Sequence, residues 1–299
     1  MCGIGGFVPS RNVNTTSVKR LWRAIQDRGK HASGLAYLPT GTQQIEIAKG
    51  AVNSSEAIEQ GTIAHMGSEV DWVMLHTRFT TQGSTSNNNN NHPVCRDEII
   101  LTHNGVIYND QEVFDRLAID GVFRKYDVDT EAIAAGLAHR GIEWVASEIR
   151  GSMSLAWVDT TKPSQVNWFT NGQNPLVIGR LQDGGIVWAS QPHHLEDLPV
   201  RDWFWAKPFK HYWTTGSGQI QSRWVSDERE PACTWQSGHA ASRTVVSTPV
   251  KKVVATTEPQ THSTLIKGGW IYDEDMMGWR KARKADFHAE LFDDDGRLF

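Results

Sequence analysis

The hydrophobic pattern of the chain changes at Ser152. Before that residue, short apolar runs alternate with helix-like segments such as Val18–Ile25, whose apolar residues fall at i, i+3, i+4 and i+7. From there on, runs separated by Gly, Asn, Asp and Pro predict consecutive strands at Ser152–Val158, Val166–Thr170, Leu176–Arg180 and Ile186–Ser190. This order is compatible with sheets covered by helices, but it does not select one fold.

The first half of the chain mixes strands with helices. Strands are predicted at Ile4–Val8, Ser33–Leu38 paired with Gln44–Ala48, Val73–Arg78 and Ile99–Asn104. Helices are predicted after an N-cap at Ser17, at Ser55–Met66, from an Asn109/Glu112 capping box through Leu117, at Glu131–His139 after an N-cap at Asp129, and near Trp144–Ile149. The aromatic run Phe204–Trp213 predicts a further strand pair.

Composition argues against several classes of protein. Lys and Arg number 30 and Asp and Glu 34, a net charge of −4, which argues against a nucleic-acid surface spread over the whole protein. The sequence contains no apolar run long enough for a membrane span and no secretion signal. The three cysteines do not suggest a disulfide framework, so a reducing, cytoplasmic setting is expected.

The amino-acid composition changes near Ser226. Residues 226–265 are rich in Ser, Thr and Pro and predict a linker or extended arm, and residues 266–299 carry aromatic and charged side chains expected of a docking tail. The one low-complexity segment in the body, Asn87–Asn91, is interpreted as disordered polar filler at a loop tip, with a partner contact as the alternative.

Cys2 has a chemical use if Met1 is removed. The residue would then carry both a thiol, which is a strong nucleophile once deprotonated, and an α-amine whose reference pKa is about 7.7–8.0. Nucleophile and base would sit on one residue, so no separate histidine would be needed. The alternative is a second residue of no importance.

Five further segments follow Cys2-Gly-Ile in a fixed order: Arg28–Gly34, His76–Gly83, Asn91–Pro93, His103–Asn109 and Asp129–Glu131. Together they resemble the glutaminase domain of class II glutamine amidotransferases, a branch of the N-terminal nucleophile hydrolases. The resemblance covers residues 1–225. It implies an α+β fold, the four-layer αββα sandwich of that superfamily, here followed by a C-terminal arm.

The resemblance also implies a role for each matching residue. Cys2 would attack the side-chain amide of L-glutamine, and Asn104 and Gly105 would form the oxyanion hole. Arg78 would hold the substrate α-carboxylate and Asp129 the α-ammonium. Other implied roles are ordering of the N-terminal region by Arg28 and closure over glutamine by the loop Thr80–Gly83.

The same residues could instead have purely structural roles. Arg78 could be a surface arginine at a strand end, Asp129 could serve as a helix cap, and Asn104-Gly105 is also a common turn dipeptide. The family generally has an aspartate where His31 stands and a tryptophan or tyrosine where Phe79 stands. The histidines of these segments match no metal signature, so neither metal nor cofactor is expected.

The function that the resemblance implies is hydrolysis of glutamine to glutamate and ammonia. Residues 226–299 are too few for a phosphosugar isomerase or phosphoribosyltransferase domain, so a separate synthase subunit that receives the ammonia is the expected partner, with no membrane involved. The alternatives are a stand-alone hydrolase of another γ-glutamyl amide, or a catalytically inactive glutamine-binding module.

Overall fold

The computed structural model describes residues 1–214 and 218–225, together with the backbone of three short strands between 266 and 281. The chain divides into a unit of residues 1–241 and a unit of residues 242–299. In the first unit the strands are β1 Gly3–Val8, β2 Ala32–Pro39, β3 Glu46–Gly50, β4 Val70–Arg78, β5 Val94–Arg96, β6 Ile99–Ile107, β7 Gly151–Asp159, β8 Val166–Thr170, β9 Val177–Leu181, β10 Ile186–Ala189, β11 Val200–Trp205, β12 Lys210–Thr214 and β13 Ile220–Trp224.

The strands of this unit form two sheets. The first sheet has seven strands in the order β11-β9-β10-β1-β4-β2-β3, and the second has six in the order β13-β12-β8-β7-β6-β5. Neighbouring strands are antiparallel, as in the predicted pair β2 and β3, where Leu35 lies opposite Ala48. The helices are α1 Thr15–Ala24, α2 Ser54–Glu59, α3 Asp110–Leu117 and α4 Thr130–Glu148, with 3-10 turns at Ile25–Arg28, Asn88–Asn90, Ala118–Asp120 and Pro192–Leu195.

The apolar side chains of the strands alternate between the two faces of each sheet and contribute to three hydrophobic clusters. In β4, Val73 packs in the cluster that α1 and α2 cover, whereas Met74 packs in a cluster shared by both sheets. In β7, Ala156 joins that shared cluster, whereas Leu155 packs with residues of α3 and α4. Because successive side chains of a strand point to opposite faces, the layers run helix, sheet, sheet, helix.

Several predicted helix boundaries are wrong. Asn14, not Ser17, caps α1, and its side chain accepts from the backbone N–H groups of Thr16 and Ser17. The second helix ends at Glu59 instead of Met66. Asn109 precedes α3 without a side-chain capping bond, since its amide bonds to the main chain of Glu148 and Arg150 instead.

Further differences concern the number of helices and the sheets to which strands belong. The helices predicted near residues 131–139 and 144–149 form one element, α4, interrupted at Gly141 with φ 82° and ψ 178°. The predicted strand pair in Phe204–Trp213 consists of strands that belong to different sheets, β11 and β12. Strands β5 and β13 were not predicted.

The second unit contains a three-stranded antiparallel sheet of β14 Ile266–Lys267, β15 Trp270–Asp273 and β16 Gly278–Lys281. These strands fall within the predicted docking tail, whereas residues 226–265, the predicted linker, lie outside the described residues. Across the described part of the chain, no helix has the length and apolar character needed to cross a bilayer.

Candidate active site

The candidate site lies at one end of the layer between the sheets. Cys2 directly precedes β1, in which Gly3 pairs with Thr77, so the cysteine lies beside the end of β4 that carries Arg78. In β4, Arg78 lies on the same face of the strand as Met74, and in β6, Asn104 lies on the same face as Ile100. Met74 and Ile100 both pack between the two sheets. The two sheets therefore present Arg78 and Asn104 toward the same layer.

Cys2 is 8% exposed, and its Sγ atom donates to the carbonyl oxygen of Phe79 at 3.6 Å. Burial raises the pKa of the thiol; the bond to Phe79 and the charge of Arg78 act in the opposite direction, whereas the charge of Asp129 also raises it. The nitrogen of Cys2 is part of the peptide bond to Met1. These pKa influences thus describe the chain before any removal of Met1.

Arg28 contacts the main chain of the same cysteine. Its Nε atom donates to the carbonyl oxygen of Cys2 at 2.9 Å, and its side chain is buried. The next residue, Gly29, lies against the main chain of Arg78 and Phe79, which a Cβ atom there would overlap. Arg28 thus ties the 3-10 turn after α1 to the start of β1.

The side-chain amide of Asn104 is the polar group of the site that stands out, because it is buried without a hydrogen-bond partner in the part of the chain that the structure describes. Its side chain is fully buried, and neither Oδ1 nor Nδ2 has a hydrogen-bond partner among the described residues. Its main-chain carbonyl accepts from Asn174 Nδ2 at 3.1 Å, which fixes the strand locally. A buried amide without a partner costs about 1–3 kcal/mol. Such a group is typical of a position that meets a ligand.

Gly105 follows Asn104 where β6 approaches β7 closely. A Cβ atom there would overlap the carbonyl oxygen of Ser152 and come near the ring of His103. A glycine is therefore required for packing at this position, whatever its role toward a substrate.

Arg78 is 2% exposed, so the structure excludes its interpretation as a surface arginine. Nη1 donates to Asn91 Oδ1 at 2.8 Å, and Nη2 donates to the carbonyl oxygens of Gln82 and Gly83. All three acceptors are uncharged. The guanidinium is thus held in place while its charge stays available.

Asp129 precedes α4, but its carboxylate does not cap the helix, so the N-cap prediction is wrong. Oδ2 instead accepts from the backbone N–H of Ile107 at 2.7 Å, and Oδ1 has a longer contact of 3.4 Å with the hydroxyl of Thr130. The carboxylate is thereby joined to the strand that carries Asn104. Both Asp129 and Arg78 act electrostatically on the Cys2 thiol.

The loop Thr80–Gly83 follows Arg78 and is anchored at several points. Thr80 N–H donates to His31 Nδ1 at 3.0 Å, and Gln82 Nε2 donates to Asp110 Oδ2 at 3.0 Å. The hydroxyl of Thr80 is buried and has no partner among the described residues. The ring of His31 lies 4.9 Å from that of Phe79, so the two departures from the family pattern contact each other.

Three buried histidines lie behind the site. Burial lowers the pKa of His76 to about 3 and also lowers the pKa values of His92 and His103, so all three are neutral near pH 7. His103 Nε2 donates to the carbonyl of Ser152, which leaves its Nδ1 to accept from the Thr130 hydroxyl at 2.9 Å. That hydroxyl in turn accepts from His92 Nε2 at 2.9 Å.

This chain of bonds fixes the protons near Asp129. The Thr130 hydroxyl has one proton, which it donates to His103 Nδ1 and not to Asp129 Oδ1. Asp129 Oδ1 is therefore free to accept a hydrogen bond from a ligand. The sequence singled out these histidines without revealing this role.

Within residues 1–214 and 218–225, one group has the spacing of a metal site: Asp27, His193 and His194. His194 Nδ1, however, accepts from the backbone N–H of Gln191, so Nε2 carries the proton and donates to Asp27 at 3.0 Å. A metal on Nε2 would move that proton to Nδ1, against another donor. The group is therefore a hydrogen-bonded cluster that joins the turn Ile25–Arg28 to the turn Pro192–Leu195.

Two asparagines of the site had no role assigned from the sequence. Asn91 holds Arg78, and Asn174 holds the carbonyl of Asn104. Asn91 lies in the segment interpreted as disordered filler. That interpretation is wrong, because Asn90 and Asn91 are fully buried.

Comparisons with known proteins agree with this geometry. A family model for the glutamine amidotransferase domain matches residues 76–197, which include Arg78, Asn104, Gly105 and Asp129. The chain contains a class II glutamine amidotransferase domain.

Curated relatives match the same part of the chain. The glutamine–fructose-6-phosphate aminotransferase of Acinetobacter baylyi is 32% identical over 192 residues, which is 60% of this chain and 30% of the relative. The enzyme of the same name from Thermococcus kodakarensis is 30% identical over 209 residues, 66% of this chain and 33% of the relative. The chain thus spans about a third of the length of the curated relatives it matches.

Solved structures support the fold of the amidotransferase domain. A glutamine phosphoribosylpyrophosphate amidotransferase from B. subtilis superposes with a TM-score of 0.62 at 19% identity, covering 76% of this chain and 50% of that one. The expected sandwich of two antiparallel sheets between helices is therefore confirmed.

Proposed function

We propose that the amidotransferase domain hydrolyses the side-chain amide of L-glutamine, with the Cys2 thiol as the nucleophile once Met1 has been removed. The observation that supports this most directly is the buried, unpartnered amide of Asn104 in the layer between the sheets. An amide in that position is costly to the free protein and useful to an oxyanion, because its N–H is already oriented and desolvated.

The first half of the reaction forms a thioester. The α-amine of Cys2 takes the thiol proton, and the sulfur attacks the amide carbon of glutamine. The negative oxygen that results accepts from Asn104 Nδ2 and from the main-chain N–H of Gly105. When the C–N bond breaks, the α-ammonium of Cys2 returns its proton to the leaving nitrogen, and ammonia departs.

The second half releases glutamate. Water attacks the thioester carbon while the α-amine accepts a proton from it, and the same oxyanion hole stabilises the second tetrahedral intermediate. The C–S bond then breaks and the thiolate recovers the proton. Glutamine and water have been converted to glutamate and ammonia, and Cys2 is regenerated.

Two charges would select a free amino acid. The Arg78 guanidinium would bind the α-carboxylate, and Asp129 Oδ1, which the Thr130 hydroxyl leaves free, would bind the α-ammonium. The unpartnered hydroxyl of Thr80 would supply a further contact from the loop that ends at Gly83. Arg28 would hold the main chain of Cys2 so that its side chain and amine keep their orientation.

Removal of Met1 would also favour the thiolate. The positive α-ammonium would then lie on Cys2 itself, nearer to the sulfur than the present N-terminus, and an adjacent positive charge lowers a thiol pKa. It would counter the effect of burial, which raises the pKa of Cys2 in the unprocessed chain.

Glutamate release by the purified full-length protein tests the proposal, with Cys2→Ala and Cys2→Ser as controls and an intact-mass measurement of the N-terminus. We expect turnover in a chain that lacks Met1, and background rates in both variants. Full activity with Met1 intact, or in Cys2→Ala, would contradict the mechanism. Binding without turnover would indicate an inactive glutamine-binding module, and turnover of a different γ-glutamyl amide would indicate another substrate.

The released ammonia would pass to an acceptor on a separate synthase, for which residues 226–299 would serve as the docking element. The aromatic and charged character of residues 266–299 supports this idea. Deletion of residues 226–299 should uncouple amidation of the acceptor from glutamine hydrolysis. A full-length protein that hydrolyses glutamine at its full rate alone and co-purifies with no synthase would contradict the docking role.

A further inference from the structure

The asparagine run Asn87–Asn91 is an ordered part of the frame around the site. Asn88–Asn90 form a 3-10 turn, which Asn87 caps by accepting from the backbone N–H of Asn89. Asn90 and Asn91 are fully buried, whereas Asn89 is exposed. The buried pair at the end of the run faces the residues proposed to recognise the substrate.

Asn91 contacts Arg78 directly. Its Oδ1 atom accepts from Arg78 Nη1 at 2.8 Å, while its Nδ2 atom donates to the carbonyl oxygen of Thr85 at 2.7 Å and to Asn88 Oδ1 at 3.0 Å. The two acceptors on the Nδ2 side determine which way the amide is turned, since an oxygen there would face two other oxygens. Asn91 therefore presents a fixed, neutral acceptor to the guanidinium.

Asn90 connects the same turn to the segment before Asp129. Its Oδ1 atom accepts from the backbone N–H of Asp127 at 3.0 Å, and its Nδ2 atom contacts Asp127 Oδ2 at 3.3 Å. It also packs against Gly83, where a Cβ atom would lie 2.9 Å from the Asn90 amide carbon. The turn thus touches both the loop after Arg78 and the approach to Asp129.

Two further contacts hold the turn from the other side. Lys49 Nζ donates to the carbonyl oxygens of Asn91 and Pro93 at 2.9 and 2.8 Å. His92, the next residue along, bonds through Nε2 to the hydroxyl of Thr130. The turn is therefore fixed to strand β3 and to the residue that follows Asp129.

We propose that Asn91 is a positioning residue: it orients the Arg78 guanidinium toward the α-carboxylate of the substrate without neutralising its charge. Asn90 and His92 complete the frame by holding Arg78 at a fixed separation from Asp129. A carboxylate at position 91 would form an ion pair with Arg78 and compete with the substrate. A neutral amide holds the same geometry and leaves the charge for the ligand. The inference rests on the proposed role of Arg78 in glutamine recognition.

Calorimetric binding to the full-length Cys2→Ser protein tests this inference separately from turnover. The ligands are L-glutamine and L-glutaminamide, in which a neutral amide replaces the α-carboxylate. We expect Asn91→Ala and Asn91→Asp to weaken glutamine binding about tenfold or more, and glutaminamide binding less than about twofold. Asn89→Ala, the same truncation at an exposed position of the turn, should change neither.

Equal losses for both ligands would overturn the inference, because a merely structural role would not distinguish them. Unchanged glutamine affinity in Asn91→Asp, or no glutamine binding by the Cys2→Ser parent, would also overturn it. If the parent and variants behave as expected but the protein with Cys2 intact hydrolyses no glutamine, the proposed function fails while the role of Asn91 stands.

Discussion

The Asn104 side chain is the position where stability and catalysis are expected to oppose each other. Asn104→Leu keeps the branched shape of the side chain and removes both unpartnered polar atoms. Since a buried polar group without a partner costs about 1–3 kcal/mol, the free energy of unfolding should rise by up to that amount. Loss of one oxyanion donor should at the same time lower kcat about 100- to 1000-fold, which corresponds to roughly 2.7–4 kcal/mol.

Asn109→Leu provides a matched control for this prediction. Asn109 is also buried, but its Nδ2 donates to the carbonyl of Glu148 at 2.9 Å and its Oδ1 accepts from the backbone N–H of Arg150 at 2.8 Å. The same substitution there leaves two main-chain groups without partners, so it should destabilise the fold by about 1–3 kcal/mol for each group.

Urea unfolding and glutamate release, measured on both variants, test whether the Asn104 amide is unpartnered in the free protein and acts in catalysis. We expect opposite changes in stability for the two substitutions, and a large loss of kcat for Asn104→Leu. If Asn104→Leu destabilises the protein as much as Asn109→Leu, Asn104 is a structural residue with a partner in solution, and the reasoning is refuted. Unchanged kcat would equally refute it.

The remaining predictions concern packing, recognition and pH. Gly105→Ala should destabilise the protein by about 1–3 kcal/mol and abolish turnover, because the new methyl group would overlap the Ser152 carbonyl; wild-type thermal stability would contradict this. Arg78→Lys should raise KM for glutamine at least about tenfold with a smaller change in kcat, because a point charge replaces the planar fork; an unchanged KM in steady-state assays would refute the carboxylate role. Burial lowers the pKa of His76 to about 3 and that of His211 to about 4, whereas unfolded histidine titrates near 6.5. The unfolded state therefore binds more protons below pH 6.5, and urea unfolding should show a loss of about 2 kcal/mol for each of these two residues at pH 5; flat stability between pH 7 and 5 would contradict it.

The sequence was informative where a pattern depends on local spacing. Most strands of the two sheets, such as β7 and β8, were predicted close to their observed bounds, because each has an apolar run that ends in turn residues. The ordered motifs identified the family, and the structure brings Cys2, Arg78 and Asn104 to one layer. Their roles toward a substrate stay predictions.

The sequence was misleading where a polar side chain had more than one acceptor or donor available. Asp129 and Asn109 stand where helix caps are common, but each bonds to a distant main-chain group, at Ile107 and at Arg150. The asparagine run has the composition of a disordered tip, yet Asn91 and Asn90 are buried and bond to Arg78 and Asp127. Such long-range pairs depend on the tertiary fold and have no local signature.

Covalent labelling tests the central claim most directly. The reagent is a glutamine analogue in which a diazoketone replaces the side-chain amide, so that the attacking nucleophile is alkylated. Intact-mass and peptide analysis should place one adduct on Cys2, in chains that lack Met1, with protection by excess L-glutamine. An adduct on Cys95, or labelling of Cys2 in chains that still carry Met1, would contradict the account of Cys2 as an N-terminal nucleophile.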